Sequence, residues 1–175
     1  NYVIAKSEGK GKIMILRAPE YLLFKYKMEG FHETIEKNCP GCKIVAEQDV
    51  PVTGLSNGKA VQQTQTLLAK HPETTVLVPG YDAMSMTVAN SQAVRTKIAN
   101  GMLLVGSEGY IPNMDLIRQG IQTASIAVPA EWLGWAGADA LNRVLAGETT
   151  IPDQGLGFTV IDKDHNLPPK GQNWS

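Results

Sequence analysis

Lys12-Ile13-Met14-Ile15-Leu16 decides the fold, because its apolar residues stand at consecutive positions and not alternate ones, as in a strand covered on both faces. The same grammar recurs at Lys43-Ile44-Val45-Ala46, Thr75-Val76-Leu77-Val78, Met102-Leu103-Leu104-Val105 and Ala124-Ser125-Ile126-Ala127-Val128. Helical stripes lie between these runs. Phe24, Met28, Phe31 and Ile35 fall at i, i+4, i+7 and i+11, and Pro40-Gly41 ends the stripe. Ala60, Val61, Thr64, Leu67 and Leu68 make a second, opened by Ser56 as N-cap and closed by Pro72. A third helix is expected from Met84 to Ile98, before Asn100-Gly101, and a shorter one from Asn113 to Arg118, before Gly120. Strand and helix in alternation predict right-handed crossovers and an α/β, three-layer, doubly wound, mainly parallel sheet.

The pattern changes after Val128. Glu131 to Ala146 reads as a helix with Leu133, Ala136, Ala140 and Val144 on one face and Trp132 and Trp135 on the other; Gly147 suits its C′ position. Phe158-Thr159-Val160-Ile161 predicts a short final strand, and Leu167-Pro168-Pro169 opens a frayed tail.

A length of 175 residues suits a single domain. The net charge of -1 offers no cationic excess for neutralising phosphates, so nucleic acid is not an expected partner. With 43% hydrophobic and 19% charged residues, the chain can bury a core. No apolar run approaches the roughly 18 residues of a membrane span. The opening Asn1-Tyr2-Val3 carries neither an initiator Met nor a signal peptide and reads as processed or excised.

Open parallel sheets bind ligands outside the carboxyl ends of their strands, which selects loops before any motif is consulted. Those loops run through Arg17-Ala18-Pro19-Glu20-Tyr21, Asp49 to Leu55, Gly80-Tyr81-Asp82, Ser107-Glu108-Gly109-Tyr110 and Val128-Pro129. They gather carboxylates, the cation Arg17, the aromatics Tyr21, Tyr81 and Tyr110, and Lys27 at the edge of the first helical stripe. Such a mixture suits polyols: carboxylates accept from hydroxyls, cations donate, and aromatic faces cover the C–H side of a sugar ring. Each residue also has a plainer reading. Lys27 is equally an ordinary solvated helix lysine, and Asp82, between strand and helix, is equally an N-cap.

The order Lys12-Ile13-Met14-Ile15-Leu16, Met28-Glu29-Gly30-Phe31, Leu67-Leu68-Ala69-Lys70-His71-Pro72-Glu73, Tyr81-Asp82-Ala83-Met84, Val105-Gly106-Ser107-Glu108-Gly109, Ile117-Arg118-Gln119-Gly120 and Leu145-Ala146-Gly147-Glu148 resembles the periplasmic sugar-binding proteins of ABC transporters. The resemblance is to the ribose-binding type, which shares its fold with the effector domains of LacI-type repressors. It covers Lys12 to Ile161 and implies the type I periplasmic binding protein fold, a Rossmann-like lobe. Such proteins have two lobes joined by three crossovers. The resemblance places residues 1–128 on the C-terminal, ligand-binding lobe. Residues 129–156 fall on a hinge and a helix that return to an N-terminal lobe, and 157–175 on the final return strand and tail.

Carried over by position, the ligand contacts that the resemblance implies fall on Lys27, where Arg is usual, and Leu55, often an aromatic. The others are Tyr81, often Asn, Glu108, where Asp is usual, and Val128, often Gln. Tyr21 and Asp82 complete the candidate set from the loops. The departures matter: Lys lacks the bidentate fork of Arg, Glu carries its carboxylate one methylene further, and Val128 has no polar side-chain atom. A pentose held in the ribose-binding manner is therefore not expected; a larger, more apolar or differently decorated ligand is. Trp132 and Trp135 are expected to pack against the other lobe or, failing that, to stack on a sugar.

Cys39-Pro40-Gly41-Cys42 follows a helix and precedes a strand, whereas redox CxxC motifs open helices, and no four-ligand zinc set accompanies it. Pro40-Gly41 forms a turn that brings the sulfurs together, and the export implied by the resemblance makes a Cys39–Cys42 disulfide the expected state. No GxSxG, HExxH or P-loop motif is present, and Asp82 with Glu108 is the one pair that could imitate a glycosidase. The expectation is a non-enzymatic solute-binding component of an ABC importer, without cofactor or metal. It acts outside the cytoplasm, in the periplasm or as a membrane-anchored lipoprotein on the cell surface, and partners a sugar or polyol and an ABC permease. The alternative is the effector-binding domain of a LacI-type transcription regulator. Without a second lobe, the tryptophan helix is expected to fold back or to pair in a homodimer.

Overall fold

The computed structural model describes residues 1–155 and 157–174. Its elements run α1 (Tyr2–Lys6), β1 (Lys12–Arg17), α2 (Leu22–Asn38), β2 (Lys43–Asp49), α3 (Thr53–Ser56), α4 (Lys59–Lys70) and β3 (Val76–Pro79), continuing with α5 (Asp82–Ala89), α6 (Gln92–Ala99), β4 (Leu103–Glu108), α7 (Ile111–Arg118), β5 (Ala124–Ala127), α8 (Ala130–Leu145) and β6 (Thr159–Asp162). The strands form one sheet in the order β2-β1-β3-β4-β5-β6. Every neighbouring pair is parallel except β5 with β6.

Consecutive apolar residues in β1 now have their cause. Ile13, Met14, Ile15 and Leu16 are all fully buried, on alternate faces of the sheet. Met14 and Leu16 join Leu77 and Leu104 under α4, α5 and α6, while Ile13 and Ile15 join Val76, Val78 and Val105 under α1 and α2. Burying such side chains stabilises by roughly 1.5–3 kcal/mol each, so both faces favour this register. From β1 the chain goes first to β2 on one side and then across to β3 on the other. Strand order therefore reverses between β1 and β3, which opens a crevice outside their carboxyl ends.

Several boundaries differ from the sequence reading. α4 is capped by Gly58, at φ 76°, and not by Ser56, which closes the one-turn α3; the Asn57 side chain accepts from the Lys59 N–H instead. The expected single helix from Met84 to Ile98 is two helices, parted at Asn90-Ser91, where the Ser91 hydroxyl accepts from Gln65 at 3.0 Å. β2 extends through Glu47-Gln48-Asp49 because it is an edge strand, and Arg17 pairs with Glu47 and Asp49 at 3.3 and 2.8 Å. Cys39 and Cys42 are joined in a disulfide with a Cα–Cα distance of 5.3 Å, and both pack on the α1–α2 side of the sheet.

α8 stands apart from this packing. Of the apolar face read from sequence, Ala136 is buried, whereas Leu133 and Val144 are exposed, and Trp135 is 73% exposed. The Trp132 indole donates to the Gln154 carbonyl at 3.3 Å. The expected segment boundary at residue 156 lies outside the described residues, as does the last residue of the tail. Beyond it β6 returns to the sheet, and Asp162 accepts hydrogen bonds from Tyr2 of α1 and from the backbone of the following turn.

Candidate functional site

The crevice at the strand reversal is walled by aromatics. Tyr81, following β3, lies flat on Phe24 of α2, with ring centroids 4.8 Å apart and planes 7° apart, and Tyr21 meets Phe24 edge-on at 5.5 Å. One helical turn beyond Phe24, the Lys27 ammonium stands 4.7 Å from the same ring. It donates to the Ser107 hydroxyl at the end of β4, which in turn donates to the Gly80 carbonyl at 3.3 Å. Lys27 thus ties α2 to the exits of β3 and β4.

Glu108 is the last residue of β4, and its backbone takes φ 108°. For a residue with a side chain this left-handed conformation costs on the order of 1 kcal/mol or more. Burial pushes its carboxyl above the usual carboxylate range, and nearby Asp82 adds to the rise, while the Lys27 ammonium and the Tyr110 hydroxyl oppose it. Burial likewise pushes Lys27 down, against the pull of Glu108 and Asp82. Lys27 and Glu108 are therefore a poorly solvated pair whose charges support each other.

Two polar atoms here lack partners among the described residues: Glu108 Oε2 and the Tyr81 hydroxyl are buried with no hydrogen bond to any of them. Tyr81 is only 7% exposed, and burial pushes its phenol up to about 12. A buried polar group without a partner costs roughly 1–3 kcal/mol, so the pair calls for an arriving donor and an arriving hydrogen-bonding hydroxyl.

Asp82 has a different place from either reading made of it. The N-cap of α5 is Tyr81, Asp82 is the first helical residue, and its side chain makes no capping bond. It is 0% exposed, and its carboxylate accepts from Ser125 at 2.6 Å, Gly109 N at 2.8 Å, Gln122 at 3.0 Å and Tyr110 N at 3.3 Å. Both oxygens are engaged within the protein.

Among the other sequence candidates, Tyr21 is exposed at the start of α2, and Leu55 packs against the core beneath α4. Val128 lines an apolar groove of about 320 Å³ on the α2 side of the sheet, with Val78, Val105, Ile126 and Phe158, and with Lys27 and Ser107 as polar members. Arg17 and Glu20 are spent elsewhere, Arg17 on the β2 carboxylates and Glu20 on the Val52 N–H. Sequence reasoning passed over Phe24, which read as core, and Ser107, which read as loop; their pairing with Tyr81 and Lys27 joins residues too distant in sequence for any local pattern. Among the described residues, no group of three or more His, Cys, Asp and Glu could hold a metal.

Removing the Glu108 charge has a predictable pH signature. Because burial raises its folded pKa, Glu108 adds to stability at pH below its unfolded value of about 4.3, and this is lost as pH rises through the folded value. Glu108→Gln therefore melts higher relative to the parent chain at pH 7 than at pH 4, as thermal denaturation at the two pH values measures. An equal difference at both would deny the buried, ionised state.

A family profile described as a periplasmic binding protein domain matches residues 1–149. The fold is similar to that of GanP, a glucose-galactose binding protein from Geobacillus stearothermophilus, with TM-score 0.81 and 17% identity over 94% of this chain and 57% of that one. It is also similar to an ABC transporter periplasmic solute binding protein from Actinobacillus succinogenes with bound D-allose (TM-score 0.78, 21% identity, 93% of this chain and 56% of that one). A third similar structure is the Caulobacter myo-inositol binding protein bound to myo-inositol (TM-score 0.79, 19% identity, 95% and 56%). The chain thus spans a little over half the length of these structures. No curated protein matches it by sequence.

Proposed function

We propose, because this chain belongs to the periplasmic binding protein domain family, that it is the C-terminal lobe of the solute-binding component of an ABC importer. Its ligand is an uncharged sugar or polyol, held at the crevice between two lobes without chemistry being done on it. The observation that carries this reading is the pair of buried, unpartnered polar atoms, Glu108 Oε2 and the Tyr81 hydroxyl, beside Lys27 at the carboxyl ends of β3 and β4. A sugar hydroxyl donates to Glu108 and accepts from Lys27, a second meets Tyr81, and Tyr110 and Tyr21 offer aromatic edges at the rim.

Leu55 and Val128 are assigned to the margins of the bound ligand, where a methylene or ring face suits them better than a hydroxyl. Residues 129–156 are assigned to the hinge and to a helix docking on the other lobe. That assignment accounts for the exposure of Trp135, Leu141 and Leu145 on α8. Closure of two lobes over the ligand presents a surface to a permease, the hinge mode of capture. The place of action is extracytoplasmic, either free in the periplasm or held to the membrane as a lipoprotein. The Cys39–Cys42 disulfide favours this over a cytoplasmic regulator of the LacI type, since such bridges persist in oxidising compartments.

The test is calorimetric titration of the chain with D-galactose, D-allose, myo-inositol and D-arabinose. Saturable binding of at least one, abolished or strongly weakened by Glu108→Gln, is the expected result. Binding that Glu108→Gln leaves unchanged, or none to any neutral sugar alongside binding of an anionic solute, contradicts the reading.

A further inference from the structure

The turn that follows Glu108 is held from beneath. The backbone N–H groups of Gly109 and Tyr110 both point down onto Asp82 Oδ2, at 2.8 and 3.3 Å. For two successive N–H groups to reach one buried carboxylate, the chain must reverse immediately after β4, and Glu108 supplies that reversal with φ 108° and Gly109 with φ 79°. Gly109 has no room for a side chain, since a Cβ there would lie 2.7 Å from that of Ala127. The anchor itself is braced. Ser125 donates to Asp82 and accepts from Gly109 N at 3.0 Å, and Gln122 holds the other carboxylate oxygen.

We infer that Asp82 is a positioning residue, whose buried carboxylate captures the Gly109 and Tyr110 amides and thereby holds Glu108 in the strained, positive-φ conformation it takes at the exit of β4. The inference rests on the reading of Glu108 as a ligand contact and deepens it: the binding residue owes its backbone conformation to a second carboxylate that the ligand never touches. Strain at Glu108 persists because the bonds made below it by Gly109 and Tyr110 outweigh it. A neutral, isosteric side chain in place of Asp82 cannot accept from all four donors, and the turn is then free to relax.

The test is made on the ligand-free chain by nuclear magnetic resonance, with Asp82→Asn as the principal variant and Ser125→Ala as the second. Two readouts are taken: the φ-sensitive coupling and backbone shifts of Glu108, and the hydrogen-exchange protection of the Gly109 amide. The parent chain is expected to show positive φ at Glu108 and a protected Gly109. In Asp82→Asn the positive-φ signature is lost and Gly109 exchanges at least tenfold faster, while the amides of β1 and α4 keep their shifts. Ser125→Ala moves both readouts the same way by less, and it decides the matter should Asp82→Asn fail to fold. Retention of positive φ at Glu108 in a folded Asp82→Asn, or in Ser125→Ala where that variant alone folds, overturns the inference and leaves Asp82 a purely structural group. Because no ligand is used, the readouts at Glu108 and Gly109 are separate from sugar binding: a failed sugar titration counts against the ligand reading of Glu108, and these readouts alone decide whether Asp82 holds the turn.

Discussion

Gly106→Ala lowers the melting temperature by roughly 10 °C, from a loss of about 3 kcal/mol in a chain of this size. The cause is local. A Cβ on Gly106 would overlap Asp82 Oδ1 and lie 2.7 Å from both Gln122 Nε2 and Ser85 Oγ. None of these can withdraw cheaply, since Asp82, Ser85 and Gln122 are essentially unexposed and Asp82 is committed to its donors. Overpacking alone costs about 1–3 kcal/mol, and displacing a buried carboxylate from its hydrogen bonds adds to it. Differential scanning calorimetry measures the loss. A variant that melts within about 2 °C of the parent would show that the space under β4 is not filled as described.

Lys27→Met weakens binding of the sugar selected by calorimetry tenfold to a hundredfold, while leaving the fold in place. Methionine keeps the apolar stem over Phe24 but removes the donor to Ser107 and the partner of Glu108. A hydrogen bond to a charged group contributes about 1.5–3 kcal/mol, which is that range of affinity. Glu108 without Lys27 loses what holds its pKa down, so the variant also binds best at higher pH than its parent. Titration calorimetry across pH reads both effects. Unchanged affinity would remove Lys27 from the ligand site.

The sheet was legible because its inner strands are sealed on both sides. Ile13 to Leu16 and Val76 to Val78 read as unbroken apolar runs for that reason. The edge strand β2 was only half legible: Glu47, Gln48 and Asp49 face solvent and ion pairs, and their polarity masked the extended backbone. The break at Asn90-Ser91 stayed hidden because the partner of Ser91 is Gln65, on another helix. At the site, Lys27, Tyr81 and Glu108 came from loop position and resemblance, and the structure brings them into one cluster. Two things were beyond any local pattern. The carboxylate of Asp82 looked like a helix cap, because the donors that occupy it arrive from β5 and from two turns far along the chain. The strain at Glu108 is likewise a property of the turn and not of the residue.

Residue-resolved mapping tests most directly whether the Lys27–Glu108 edge receives a sugar, because it detects weak as well as tight binding. D-galactose, D-allose and myo-inositol are titrated in turn into the isotope-labelled chain while amide shifts are followed. A binding sugar is expected to move the amides of Lys27, Tyr81 and Ser107 to Tyr110 together, along one saturating curve. A sugar that saturates the chain while leaving those amides still, and moving instead those near Trp132 and Trp135 or in the groove between α4 and α6, would contradict it.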